Sequence, residues 1–200
     1  MRCTNSTFLS LLLLPLTLAA PIDTTPPSDT AAATPNIYEI ETNRVIYELT
    51  TLSNHLQSMY QSRPSDRTHL SSKITSASAR VVSVSRDSAA TMRAAPPATF
   101  IQENELLGPI NRLTLLTRDT EREWLAIRDI VFQMNGQQKV IQLLRDMNQA
   151  GAEFAYAMNG KMSGLAKEVG RIYGDAVDGM EKEVIKAYSA SKAGNAGGWN

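Results

Sequence analysis

The chain has 200 residues, with 20 Lys plus Arg balancing 20 Asp plus Glu, and a single cysteine, Cys3. A neutral, evenly mixed charge offers no electrostatic footprint for nucleic acid and no polybasic segment for a membrane surface. One cysteine permits no internal disulfide and no thiolate metal cluster, so a hydrophobic core must supply the stability.

Residues 1–19 read as a secretory leader. Arg2 gives a small positive region, Phe8–Leu18 an apolar run, and Thr17, Ala19 and Ala20 the small residues a cleavage site needs. Pro21 disfavours cleavage after Ala20, which places the boundary at Ala19. About 11 apolar residues are too few for a bilayer core that needs about 20, and no later segment is longer and as apolar. Loss of the leader removes Cys3, Arg2 and the Asn-x-Ser/Thr sequon at Asn5, leaving a cysteine-free product with balanced charge. The localisation expected is secreted, extracellular or in a cell wall. Residues 20–35 are rich in Thr, Pro and Ala and too polar to order themselves. Residues 192–200 form a polar, glycine-rich tail with no GPI-attachment signal.

Residues 36–191 are expected to form one domain, an all-α antiparallel bundle of about five long helices. The first predicted helix spans about 36–61, with Thr34-Pro35 as its cap and first turn. Its stripe is Val45, Leu49, Leu52, Leu56 and Met59. After Pro64, Ser65-Asp66 caps a second helix with the stripe Leu70, Ile74, Ala77, Val81 and Val84 and serines on its other faces. Ala94-Ala95-Pro96-Pro97 breaks the chain, and Thr99–Leu107 reads as a short connecting helix. Gly108-Pro109 then starts a third long helix, striped by Ile110, Leu113, Thr117, Thr120, Trp124, Ile127, Val131 and Met134. Asn135-Gly136 and Asn159-Gly160 bracket a fourth, with Val140, Leu144, Met147, Gly151, Phe154 and Met158 on one face. The fifth carries Met162, Leu165, Val169, either Ile172 or Tyr173, Ala176, Met180, Val184 and Ala187. No segment shows the period-two alternation of a strand.

Catalytic and metal patterns are missing. His55 and His69 flank the Pro64 turn without an HExxH spacing, and they read as surface histidines. Gly160-Lys161-Met162-Ser163-Gly164 lacks the G-x-S-x-G spacing of a nucleophile elbow, so Ser163 reads as a helix cap. Glu121 and Glu123 are two apart on a helix and point different ways. No catalytic residue, metal or cofactor is assigned.

The remaining signal lies in the expected core. Met134, Met147, Met158, Met162 and Met180 are interleaved with Ala150, Gly151, Ala155, Ala157, Gly164, Gly170, Gly174, Ala176 and Gly179. Each mid-helix glycine costs about 1 kcal/mol relative to alanine, so the set needs a reason. One reading is close helix–helix approach. The other is an apolar cavity between helices, lined adaptably by methionine. Its candidate wall is Leu113, Thr117, Thr120, Trp124, Ile127, Leu144, Met147, Phe154, Met158, Leu165, Val169 and Ile172. The threonine hydroxyls would bond either the preceding turn or a ligand's polar head.

The stretches LLGPINRLTLLTRDTEREW, VFQMNGQQKVIQLLRDMNQAGAEFAYAMNGKM and AVDGMEKEVIKAYS carry a resemblance that extends over 36–189. With the leader, the Thr/Pro stretch and the cysteine-free helical domain, this rhythm resembles the fungal hydrophobic surface-binding protein A family, which includes the cell-wall galactomannoproteins. The resemblance implies a non-catalytic, secreted or wall-associated bundle that binds hydrophobic surfaces or encloses fatty acids, with cell-wall glycans as a further partner. The chain departs from wall-anchored members in lacking a Ser/Thr-rich C-terminal stalk, which favours free secretion. The alternative is a structural mannoprotein or host-interaction protein with a solid core, binding through exposed residues around the serine-rich second helix.

Overall fold

The computed structural model describes residues 35–190, the side chains of residues 180 and 181 excepted. The leader, the segment before Pro35 and the tail from 192 lie outside the described residues. Every regular element among the described residues is helical. The five long ones are α1 (Ile37–Tyr60), α2 (Arg67–Ala94), α3 (Phe100–Ala126), α5 (Gln137–Asn159) and α6 (Gly164–Met180). A short α4 (Arg128–Gln133) follows α3, and α6 runs through a π-turn (Glu181–Ile185) into α7 (Lys186–Ser189).

The packing order closes on itself. α1 packs on α2, α2 on α5, α5 on α6, α6 on α3, and α3 back on α1. The long helices therefore form a ring around a shared axis, into which each turns one stripe. α4 and the Asn135-Gly136 turn, where Asn135 takes a φ of 55°, link α3 to α5, which are not neighbours in that ring.

α1 buries the expected stripe from Val45 to Met59. Its cap is Asn36 rather than Thr34-Pro35: the Asn36 side chain accepts from the backbone N–H groups of Tyr38 and Glu39. The same side chain donates to the Gln102 carbonyl and the Glu105 carboxylate, fixing the start of α1 on α3. Ser65-Asp66 does not cap α2 with a side chain; Pro64–Asp66 forms a 3₁₀ turn instead.

The inward face of α2 is rotated from the expected stripe. Leu70 and Val84 are only half-buried, whereas Ser71, Ile74, Ser78, Val81, Ser85, Ser88 and Met92 are buried at alternating three- and four-residue steps. Four serines thus sit where a bundle ordinarily places leucine. Ser71 donates to the Thr68 carbonyl of its own helix and Ser88 to the Glu41 carboxylate on α1. Small side chains bring α2 close to both neighbours, α1 and α5.

α3 overturns the expected break at Gly108-Pro109, because one helix runs from Phe100 through both residues to Ala126. Thr99 starts it with a reciprocal cap, its side chain paired with the Gln102 backbone and the Gln102 side chain with the Thr99 backbone. Burial of Glu103, Leu106 and Ile110 on one face then outweighs the proline, which removes a helical donor. The far end departs too. The expected run to Met134 is interrupted at Ile127, beside which the Trp124 carbonyl accepts the Tyr188 hydroxyl. The π-turn positions Val184, Ile185 and Tyr188 inward together, and Gln137 seals this end by donating to the Tyr188 carbonyl.

A Cβ on Gly108 would meet no atom within 4 Å. Gly108→Ala should therefore stabilise the protein by about 1 kcal/mol through helix propensity, raising the melting midpoint by about 2–4 °C in calorimetry. Gly170 is the opposite case: a Cβ there would lie 2.1 Å from Asn159 Oδ1. Gly170→Ala should destabilise by about 1–3 kcal/mol through overpacking. The double variant with Asn159→Ala should recover most of that loss in denaturant titrations.

Candidate functional site

All five long helices meet at one enclosed void on the ring axis. Val45 and Leu49 come from α1, Val81 and Ser85 from α2, and Thr117 from α3. Met147, Asn148 and Gly151 come from α5, and Tyr173 and Val177 from α6. The cavity volume is about 20 Å³, room for about one water. Pockets that hold drug-sized ligands measure several hundred Å³. As it stands, the bundle is closed.

The wall is amphipathic. Four of its residues bring polar groups to the middle of the core: Ser85, Thr117, Asn148 and Tyr173. The Thr117 hydroxyl donates to the Leu113 carbonyl at 2.9 Å and that of Thr120 to the Leu116 carbonyl at 2.8 Å, so both are satisfied within α3. Tyr173 packs edge-on against Phe154, with ring centroids 6.0 Å apart. Its hydroxyl lies 3.7 Å from where a Gly151 Cβ would stand. Burial pushes the Tyr173 phenol far above its usual range, so at physiological pH it is a protonated donor.

The small residues concentrate on the α5–α6 seam. A Cβ on Gly151 would stand 3.1 Å from a Val177 methyl, and one on Gly174 would stand 3.9 Å from the Ala155 Cβ. Close approach of the two helices accounts for Gly151, whereas at Gly174 a methyl group would make only ordinary contact. The void beside Gly151 is what this approach leaves over.

Of the twelve residues proposed for a cavity wall, Leu113, Thr117, Thr120, Trp124, Ile127, Leu144, Met147, Phe154 and Met158 are buried in the core. Only Thr117 and Met147 border the void. Val169 is half-buried against the core. Leu165 and Ile172 face outward, 66% and 39% exposed, because α6 turns Ala166, Gly170, Tyr173 and Val177 inward instead. The choice between Ile172 and Tyr173 falls to Tyr173. The wall residues from α1 and α2 are not marked in the sequence, because Val45, Leu49 and Val81 read as plain core and Ser85 as part of an outward serine face. Ser163 donates from its backbone N–H and its hydroxyl to the Glu103 carboxylate, which ties the start of α6 to α3.

The fold and site define an all-helical bundle with a small, polar-edged void at the convergence of its helices. No family model and no curated protein matches the chain in sequence. Solved structures do match in fold. Ligand-binding domain 1 of the Penicillium marneffei MP1 protein, complexed with arachidonic acids, has a TM-score of 0.61 at 14% identity. The match covers 76% of this chain and 97% of that domain. Ligand-binding domain 2 of the same protein, complexed with multiple arachidonic acids, has a TM-score of 0.59 at 16% identity, over 80% of this chain and 99% of that one. The shared architecture is established; identities this low establish nothing finer. No described helix is long and apolar enough to cross a membrane.

Removing only the Tyr173 hydroxyl should leave the fold in place. Tyr173→Phe is expected to shift the unfolding midpoint by less than about 1 kcal/mol equivalent, measured by chemical denaturation.

Proposed function

We propose that this protein is a secreted, non-catalytic carrier that takes a fatty acid or similar long-chain ligand into the centre of its helical ring. The observation that carries the reading is the void itself: it lies where five helices meet, in a fold whose neighbours are complexes with arachidonic acid. Each methylene moved from water into such a core gains about 0.8 kcal/mol, which favours parting the helices along a seam of small side chains. The Tyr173 hydroxyl would meet the carboxylate, aided by Ser85, while Met147, Val81 and Val177 adapt to the chain. The resemblance to the hydrophobic surface-binding proteins supports the same class of ligand.

Binding to hydrophobic surfaces has its own support. Phe100, Ile101, Tyr156 and Leu165 are all strongly exposed. They surround one end of the bundle, where the Ala98 N–H donates to the Lys161 carbonyl and Ser163 meets Glu103. A solid-core wall or host-interaction protein is the second reading, and the smallness of the void favours it.

Native mass spectrometry of delipidated protein with palmitic or arachidonic acid separates the two. The carrier reading expects stoichiometric uptake, with Tyr173→Phe weakening the free acid about tenfold and leaving its methyl ester unchanged. Absence of uptake by the folded protein would leave the solid-core reading standing. For surfaces, the paired replacement of Phe100 and Leu165 by serine should reduce adsorption to polystyrene beads with no change in the circular dichroism spectrum.

A further inference from the structure

A second recess lies on the outside of the bundle, between α1 and α2 beside the Pro64 turn, with a volume of about 280 Å³. Thr51 and His55 stand one turn apart on α1. His69, Lys73, Ser76 and Arg80 recur along α2 at steps of four, three and four, with Ser72 beside them. The imidazoles, the ammonium, the guanidinium and the Ser76 hydroxyl can donate to a ligand; the Thr51 and Ser72 hydroxyls donate to the Tyr47 and Thr68 carbonyls of their own helices, and no carboxylate lines the recess.

The charge is also uncompensated. Arg44, Arg86, Arg122, Arg128 and Arg171 each have a carboxylate partner, whereas most other basic side chains of the described residues do not. Among the described residues, Lys73 and Arg80 have no ion pair. The charged and titratable groups facing the recess are His55 from α1 and His69, Lys73 and Arg80 from α2. We propose that this recess is an anion site for a phosphate group, held between Lys73 and Arg80, with the Ser76 hydroxyl on α2 and the His55 imidazole on α1 as further donors. A tetrahedral group with several charged oxygens uses donors from two helices at once, which a planar carboxylate does less fully. The phosphate is either a free ion or the headgroup of an anionic lipid, and the chemistry of the recess is the same for both.

Burial and the neighbouring Lys73 charge hold the His55 pKa below its usual range. A bound anion opposes the effect of the Lys73 charge, so phosphate should raise the His55 pKa. The test follows the imidazole resonances of His55 and His69 by NMR in the intact protein. The wild type is compared with the exposed double variant Lys73→Ala/Arg80→Ala, using inorganic phosphate in one arm. The other arm uses phosphatidylcholine vesicles with and without phosphatidic acid. Saturable, salt-sensitive shifts with phosphate, a raised His55 pKa and at least about tenfold weakening in the variant would support a site for the free ion. A response confined to the phosphatidic acid vesicles, and lost in the variant, would support the lipid headgroup. No response in either arm, or binding that the variant retains undiminished, would overturn the proposal.

Discussion

A chain with one cysteine cannot be closed by an internal disulfide, so this ring of helices has to be locked by groups that meet only when the register is right. Buried or half-buried carboxylates do much of this. Glu41 on α1 accepts from Ser88 on α2 at 2.6 Å, and Glu123 on α3 accepts from Ser53 and Gln57 on α1 at 2.9 and 2.6 Å. Glu103 on α3 accepts from Ser163 before α6. Each is a carboxylate acceptor matched to a neutral donor on another segment of the chain, which is stronger than a neutral pair and directional. Apolar burial supplies the cohesion, and these bonds select one sliding position among the many that apolar stripes would tolerate.

The same requirement explains why small residues recur. Short serine hydroxyls reach an acceptor on a neighbour only if the helices lie close, and glycine and alanine on the α5–α6 seam allow similar proximity. Close approach on several sides of a five-membered ring leaves its axis imperfectly filled. The void is thus a by-product of the way the helices are fastened. Its position makes it the natural place for the interior to widen, since every long helix contributes to its wall.

Periodicity made the helices and their number legible, because valine, leucine and isoleucine recur at three and four over long spans. It misjudged orientation where polarity and burial part company. The inward face of α2 is a serine stripe, so a hydrophobic reading rotated the helix toward Leu70 and Val84. On α6, glycine occupies the inward position at Gly170 and leaves Leu165 and Ile172 as the conspicuous apolar residues on the wrong side. Pro109 was read as a boundary because local propensity says so, but a strong cap at Thr99 and the burial of Leu106 and Ile110 carry the helix through it. The void could not be seen in the sequence, because its wall draws on elements far apart in the chain and depends on how closely they approach. That His55 and His69 line one recess was half-visible: the turn between them was plain, the basic residues that follow His69 along α2 were not read with them.

The serine stripe of α2 has a thermodynamic consequence. When α2 moves away from its neighbours, the surface uncovered is partly hydroxyl rather than wholly hydrocarbon. Polar exposure lowers the heat capacity where apolar exposure raises it. Opening on this side therefore carries a smaller heat-capacity change than opening a leucine-lined face would. The free energy of opening the α2 flank is therefore closer to linear in temperature, while that of a leucine-lined flank would curve more strongly.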